Sequence, residues 1–305
     1  VAKEMGYQVS FGYKLLRRQK TRTVAIMNSR AQMNDEEHIM ALTLRLTTGF
    51  DRLGYAAYYN AFSDDAEANL KKVKLEQADN IRAAGKLMAD AVEADRLISV
   101  YGGGGHTTLA MGEMFFRAGG LANINPIMET GLSVFNQALK YLELERTENY
   151  GSAIMRYYGL KEGDLLIIFH NIGINPATID AAAEAKKNGV RIIAVSSSYW
   201  QQEMPRDHFI RHSSGKNLFD FADVCIDDYN PVGDAVVTVP GFDCPIAPVS
   251  NVVDFTIAHW MEIECVRQCV ERGITPPVWH SANAPGGDEA NAASLAKYRP
   301  LVKNL

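Results

Sequence analysis

Short apolar runs alternate with longer amphipathic segments from residue 97 to residue 271. Each apolar run is bounded by glycine, proline or polar residues and predicts a β-strand. These runs cover residues 97–101, 121–125, 164–169, 190–196, 222–227 and 235–239. The amphipathic segments predict α-helices and cover residues 107–118, 132–159, 176–188 and 251–271. The alternation predicts an α/β fold with a doubly wound parallel sheet.

The first part of the chain carries helical patterns alone. Residues 34–60 place Ile39, Leu42 and Leu46 on one face after an acidic start, which predicts a helix. Residues 63–95 begin with a serine that can cap a helix and continue as one long amphipathic helix or two. The chain therefore begins with helices before the alternating part.

Four consecutive glycines, Gly102 to Gly105, follow the first predicted strand directly. Glycine has no Cβ, so the backbone there can take positive φ and a ligand can come close to its N–H groups. A helix begins near Thr107, and helix N-termini favour anions. The sequence therefore predicts an anion seat, a group of donors around one small anion. Its predicted members are Gly103, Gly104, Gly105, Thr107 and Thr108.

Polar loops also follow the predicted strands at 164–169 and 190–196. In a doubly wound sheet the ligand crevice lies at the carboxyl ends of the strands, so we expect these loops to meet the glycines there. Each loop alone is equally consistent with an ordinary turn. The candidate binding residues in the two loops are His170, Asn171, Gly173, Asn175, Ser196, Ser197 and Ser198.

Composition narrows the classes of partner. The 305 residues carry a net charge of −5, which argues against nucleic acid, and a run of 18 apolar residues is missing, which argues against a membrane. The four cysteines have no metal-binding spacing and predict buried, reduced thiols in a cytoplasmic protein. His208 and His212 lack a third ligand, so we predict no metal, and the nucleotide motifs are absent, so we predict no cofactor.

Several segments resemble one known family in their order along the chain. They include residues 103–107, 113–121, 125–129, 214–216, 233–235 and 281–289. On these segments the chain resembles the sugar isomerase (SIS) domain superfamily, and it is most similar to a bacterial branch named for its sugar-isomerase domain. The resemblance divides the chain into an N-terminal helical extension, 1–56, and a SIS sugar-binding or isomerase domain with a C-terminal tail, 57–305.

The resemblance implies the SIS fold, a flavodoxin-like three-layer αβα sandwich with a five-stranded parallel sheet. It also implies a homodimer or higher oligomer that binds a phosphosugar in hydroxyl-rich loops. Thr107 stands where the branch has a serine, and keeps the hydroxyl. The second loop departs from the branch's Ser-Asn-Ser-Gly pattern, since residues 170–173 read His-Asn-Ile-Gly. His170 can replace one lost donor or be a structural histidine, and Ser214 and Lys216 are further candidate donors.

Aldose–ketose isomerisation needs a base that moves a proton between neighbouring carbons and a donor for the developing oxyanion. The candidates are Glu129, ranked first because it follows the second strand, then Glu113, which can equally be a solvated helix residue, and His106 in the glycine loop. The resemblance adds His280 and Glu289, because a C-terminal His or Glu can reach the site in this family. Asp228 and Asp234 are candidates for sugar hydroxyls.

Three functions stay open on the sequence alone. The first is an isomerase for a small anionic sugar. The second is a lyase or deaminase for a sugar phosphate on the same fold. The third is a sugar-phosphate sensor without catalysis.

Overall fold

Five parallel strands form the central sheet of the computed structural model, which describes residues 53–305. The strands are β1 (Ile98–Gly102), β2 (Ile124–Pro126), β3 (Leu165–Phe169), β4 (Arg191–Ser196) and β5 (Val224–Asp227). Their order is β2-β1-β3-β4-β5. The chain moves outward from β1 to β2 and then crosses back to β3, so the order reverses between β1 and β3. A flavodoxin-like sheet binds its ligand at this point, and the predicted α/β fold is confirmed.

Helices cover both faces of the sheet. They are α1 (Leu53–Glu76), α2 (Ala78–Glu93), α3 (Thr107–Met114), α4 (Ala138–Glu145), α5 (Tyr150–Tyr158), α6 (Pro176–Lys187), α7 (Ser198–Glu203), α8 (Ser250–Glu271) and α9 (Gly287–Tyr298). Helices α2 and α3 pack against α8, and α5 packs against α6 on the opposite face. One-turn 3₁₀ helices lie at Thr130–Leu132 and Leu218–Asp220. Residues 65–305 form one compact unit.

Burial on both faces explains why β3 lies in the middle of the sheet. Every residue of this strand is buried, and Leu166 and Ile168 join the apolar cluster that α5 and α6 cover. Since successive side chains of a strand point to opposite faces, Leu165 and Ile167 face the other layer of helices. The apolar run at 164–169 was therefore predicted correctly as a central strand.

Several predicted elements differ from the structure. The helix predicted over 107–118 ends at Met114, because Phe115 is extended and Phe116 has a positive φ of 50°. The helix predicted over 132–159 is two helices, α4 and α5, and Asn149 at φ 69° separates them. The strand predicted at 235–239 is β6 (Ala235–Val237), which pairs antiparallel with β7 (Ile246–Pro248) in a separate two-stranded sheet.

The C-terminal tail was not predicted to be helical beyond the polar segment, yet it contains α9. Residues 277–279 lie beside residues 119–122, where Ala122 donates its N–H to the Pro277 carbonyl and Trp279 donates to the Gly120 carbonyl. A small buried apolar cluster is formed by Ala122 together with Trp279, Tyr298 and Val302. The tail therefore belongs to the folded domain.

Predictions about the remaining parts of the chain have mixed outcomes. The helix predicted over 34–60 falls largely outside the described residues, and so does the 1–56 extension.

Cys265 and Cys269 are buried as predicted, whereas Cys225 is half-buried and Cys244 is exposed, so the prediction of buried thiols is wrong for Cys244. Among the helices of residues 53–305, none has the length and apolar character to cross a membrane.

Gly151 on α5 gives a stability test of the helix layer. A Cβ at this position would lie 1.8 Å from the backbone oxygen of Ala177 on α6, so Gly151→Ala forces the two helices apart. We expect it to lower the free energy of unfolding by about 3 kcal/mol in a urea titration. Gly112→Ala is the matched control, because it is exposed on α3 with open space around its Cβ, and we expect it to stabilise by about 0.5–1 kcal/mol. Equal effects of the two substitutions would contradict the packing described here.

Candidate functional site

The glycine loop, Gly102 to Gly105, lies against side chains from three other elements. A Cβ built on Gly103 would lie 2.0 Å from Thr178 Oγ1, one on Gly104 would lie 2.7 Å from Glu145 Oε2, and one on Gly105 would lie 2.5 Å from the Tyr141 ring. None of the four glycines has a positive φ. The expected left-handed backbone is therefore wrong, and close approach is the reason for the glycines.

Much of the hydrogen-bonding capacity of the loop is used internally. Gly103 donates its N–H to the Phe169 carbonyl (3.1 Å), and Gly104 donates to the Thr107 hydroxyl (3.0 Å). The Thr108 hydroxyl donates to the Gly105 carbonyl (2.7 Å), while His106 is exposed on the outer side. The two threonine hydroxyls therefore stabilise the turn into α3.

Glu145, at the end of α4, lies beneath the glycine loop and is 5 % exposed. Asn175 Nδ2 donates to its Oε1 at 2.7 Å. Burial raises the pKa of Glu145 to about 7, although Arg146 and the backbone N–H of Gly105 favour the ionised carboxylate. Sequence reasoning missed Glu145, because a single glutamate within an amphipathic helical pattern gives no sign that tertiary packing will bury it.

Tyr101 on β1 is fully buried and lies within range of the charge of Glu145. Burial, together with the nearby charges of Glu145, Glu129 and Asp180, raises the pKa of Tyr101 well above its ordinary value. Among residues 53–305 the hydroxyl is buried without a hydrogen-bond partner, as are Asn175 Oδ1 and Arg146 Nε. Buried polar atoms normally find partners, so this group of atoms suits a bound polar molecule.

Glu129, the first-ranked candidate base, lies in the same region. Its Oε1 accepts hydrogen bonds from the Tyr150 hydroxyl at 2.8 Å and from the Gly131 N–H at 2.7 Å. The residue is half-buried. Burial, followed by the hydrogen bond to Glu129, raises the pKa of Tyr150 above its ordinary value. The Tyr150 hydroxyl therefore stays protonated and donates its hydrogen bond to Glu129.

His170 occupies the other side of the glycine loop as a neutral side chain. It is 2 % exposed, and burial lowers its pKa to about 3. Its Nδ1 accepts the Gly173 N–H at 2.8 Å, so the proton of the neutral ring is on Nε2. A Cβ built on Gly104 would lie 3.0 Å from that Nε2. His170 is therefore a neutral N–H donor beside the loop.

Asn171 connects the second loop to two buried acids. Its Nδ2 donates to Asp228 Oδ2 and to Asp254 Oδ2, each at 2.8 Å. Both acids are 0 % exposed, and burial raises the pKa of both carboxyl groups. Asp228 Oδ1 also accepts the Asn230 N–H at 2.9 Å. Asp228 therefore links the loop of Asn171 to the loop of Asn230 through hydrogen bonds. Asp254 on α8 accepts the second hydrogen bond of Asn171, and the sequence did not indicate this residue.

The serines of the third loop and Asp234 make contacts within the protein. Ser196 Oγ accepts from Gln201 at 2.9 Å, Ser197 donates to the Asn230 carbonyl at 2.6 Å, and the Ser198 N–H donates to Asp227. Asp234 accepts the Ser250 N–H at 2.8 Å and the Ser250 hydroxyl at 2.7 Å. Asp234 thus accepts hydrogen bonds from the first residue of α8, as the side chain of a helix cap does.

Other predicted residues lie elsewhere in the chain. Ser214 and Lys216 are exposed, and His212 Nδ1 lies 2.8 Å from Ser214 Oγ. Glu113 lies near the far end of α3, where Arg117 and His259 on α8 approach it at 2.7 and 3.0 Å. His280 and Glu289 are exposed in the tail that joins the chain just before β2. Glu129 contacts Tyr150 and Gly131, Glu113 contacts Arg117 and His259, and neither glutamate is among the nearest neighbours of the glycine loop.

Comparison with known proteins identifies the family of this chain. A sequence model described as the SIS domain matches residues 61–197, which confirms the predicted resemblance. The chain belongs to the UPF0309 family. It is 36 % identical over 248 residues to UPF0309 protein Teth39_1980 of Thermoanaerobacter pseudethanolicus, covering 80 % of this chain and 98 % of that protein.

The chain is also similar to a second relative and to a solved structure. UPF0309 protein TTE0306 of Caldanaerobacter subterraneus subsp. tengcongensis is 35 % identical over 247 residues, covering 80 % of this chain and 98 % of that protein. The structure of a phosphoheptose isomerase from Francisella tularensis is similar at 14 % identity with a TM-score of 0.44. That match covers 70 % of this chain and 98 % of the other.

Glu145 makes the stability of the protein depend on pH. Its folded pKa of about 7 lies above the ordinary value of 4.5, so its contribution to stability is present below pH 4.5 and is lost as the pH rises through 7. We expect this loss to be about 3 kcal/mol, measured by urea unfolding at pH 5 and pH 8. Glu145→Gln should remove that part of the decrease, whereas Glu143→Gln, on the exposed side of α4, should keep it. An unchanged decrease in Glu145→Gln would exclude a buried carboxyl group here.

Proposed function

We propose that this protein binds a phosphorylated or otherwise anionic sugar at the carboxyl ends of β1 and β3, and that it interconverts an aldose and a ketose through an enediol. Membership of a family with a SIS domain supports a sugar ligand. The observations that support the reaction are that Tyr150 and Gly131 hold one oxygen of Glu129, and that the buried Glu145 lies against Gly104 of the glycine loop.

Glu129 suits the role of the base. Tyr150 and Gly131 hold one of its oxygens, so the other oxygen is left to take a proton from one sugar carbon and return it to the next. A carboxylate held at a fixed position needs little reorganisation during proton transfer.

One neutral donor suits the developing negative charge on the sugar oxygen. The Nε2–H of His170 faces the glycine loop, whereas the Tyr150 hydroxyl already donates to Glu129. A neutral imidazole can polarise a carbonyl group and avoids the cost of holding a charge in a buried site. The second glutamate, Glu145, adds a buried carboxyl group next to Gly104.

Incubation with a panel of sugar phosphates and sulfonated sugars, followed by NMR, tests the reaction. We expect one isomer pair to interconvert, and Glu129→Gln to lower kcat by about 100-fold or more while ligand binding persists. Glu143→Gln is the matched control and should keep full turnover.

Failure to convert any sugar of both panels would overturn the isomerase. A ligand that raises the melting temperature equally in the wild-type protein and in Glu129→Gln, without turnover in either, would indicate a sensor. The predicted homodimer or larger assembly stays a prediction, which analytical ultracentrifugation of the same sample measures.

A further inference from the structure

Helix α4 places two side chains, Tyr141 and Glu145, directly under the glycine loop. Residues four apart lie on the same face of a helix, one above the other, so both meet the loop together. The Glu145 carboxylate lies against Gly104, and the backbone N–H of Gly105 favours its ionised form. A negatively charged oxygen of the protein itself is therefore located where the sequence predicts a bound anion.

Several hydrogen-bond donors interact with this carboxylate or are buried within range of its charge. Asn175 Nδ2 already donates to it at 2.7 Å. The Tyr101 hydroxyl, on a residue that is 0 % exposed, and Arg146 Nε are buried donors without an acceptor in the described part of the chain. Unpaired buried donors cost free energy, and an incoming anion with several oxygens can accept from more of them than one carboxylate does.

We propose that Glu145 is the resident occupant of the anion seat, so that the anion of a substrate binds at the glycine loop only after the Glu145 carboxylate is protonated or displaced. This inference takes its ligand, an anionic sugar, from the proposed function. It makes Glu145 a specificity-determining residue: it sets the affinity of the seat for anions.

Electrostatics around the seat support this role. Two negative groups at contact distance repel strongly in a buried site, whereas a protonated Glu145 can donate a hydrogen bond to the anion. The charged or titratable groups that face the seat are Arg146 and Tyr141 from α4 and its end, His170 from the loop after β3, and Tyr101 from β1. Behind Tyr101 lie Glu129, Tyr150 and Asp180. His170 stays neutral between pH 6 and pH 8, because burial lowers its pKa to about 3.

Sulfate binding tests the proposal, because the charge of sulfate does not change between pH 6 and pH 8. Isothermal titration gives the affinity, and the ¹⁵N amide signals of Gly104 and Gly105 report binding at the seat itself. With the pKa of Glu145 at about 7, we expect sulfate to bind about tenfold more weakly to the wild-type protein at pH 8 than at pH 6.

Glu145→Gln removes the resident charge. We expect this variant to bind sulfate with the same affinity at both pH values, and about tenfold more tightly than the wild-type protein at pH 8. Glu143→Gln, two residues away on the exposed side of the same helix, should follow the wild-type protein.

Three results would overturn the proposal: no shift of the Gly105 signal with sulfate, equal wild-type affinity at both pH values, or equal affinity of Glu145→Gln and wild type at pH 8. The wild-type comparison needs no variant, so it holds even when a substitution disturbs folding. Sulfate is not a substrate, so a protein that shows the expected sulfate pattern without sugar turnover disproves the isomerase and leaves the role of Glu145 standing.

Discussion

Direct contact between backbone and side chains at the glycine loop is the constraint on which the rest of the site depends. Gly102 pairs with Phe169 across β1 and β3, and the next residue, Gly103, still donates to the Phe169 carbonyl. These bonds fix the position at which the loop leaves the sheet. The loop then packs against α4, α6 and His170 so closely that a Cβ would not fit. A loop with side chains at these positions would separate the strands' carboxyl ends from the helices that supply the acids.

The sequence is informative where local physics decides the structure. The apolar runs of β3 and β4 are buried along almost their full length, so the composition of each run alone indicates a central strand. Pro176 begins α6 at the position where a missing N–H costs nothing. Because parallel strands end at the same edge, the sequence also indicates that the loops after β1, β3 and β4 lie together.

The chemistry of the site depends on tertiary contacts and was less predictable. Asn175 stands at the cap position of α6, yet its side-chain amide donates to Glu145 and makes no hydrogen bond with the helix backbone. The hydroxyls of Thr107, Ser196 and Ser197 satisfy backbone or side-chain groups of the protein, which a pattern of polar residues cannot reveal. Glu145 and Asp254 are buried by neighbours that are distant in sequence, so their altered proton affinities have no local signal.

The amide of Asn171 has a fixed direction because both of its N–H groups are committed. One hydrogen goes to Asp228 and the other to Asp254, and two buried acids on opposite sides prevent the amide from turning over. The atom that it can present to the crevice is therefore Oδ1, which accepts hydrogen bonds and cannot donate them. An asparagine amide can usually turn over to suit a partner, but this one is fixed, so any group that forms a hydrogen bond with Oδ1 has to donate the hydrogen.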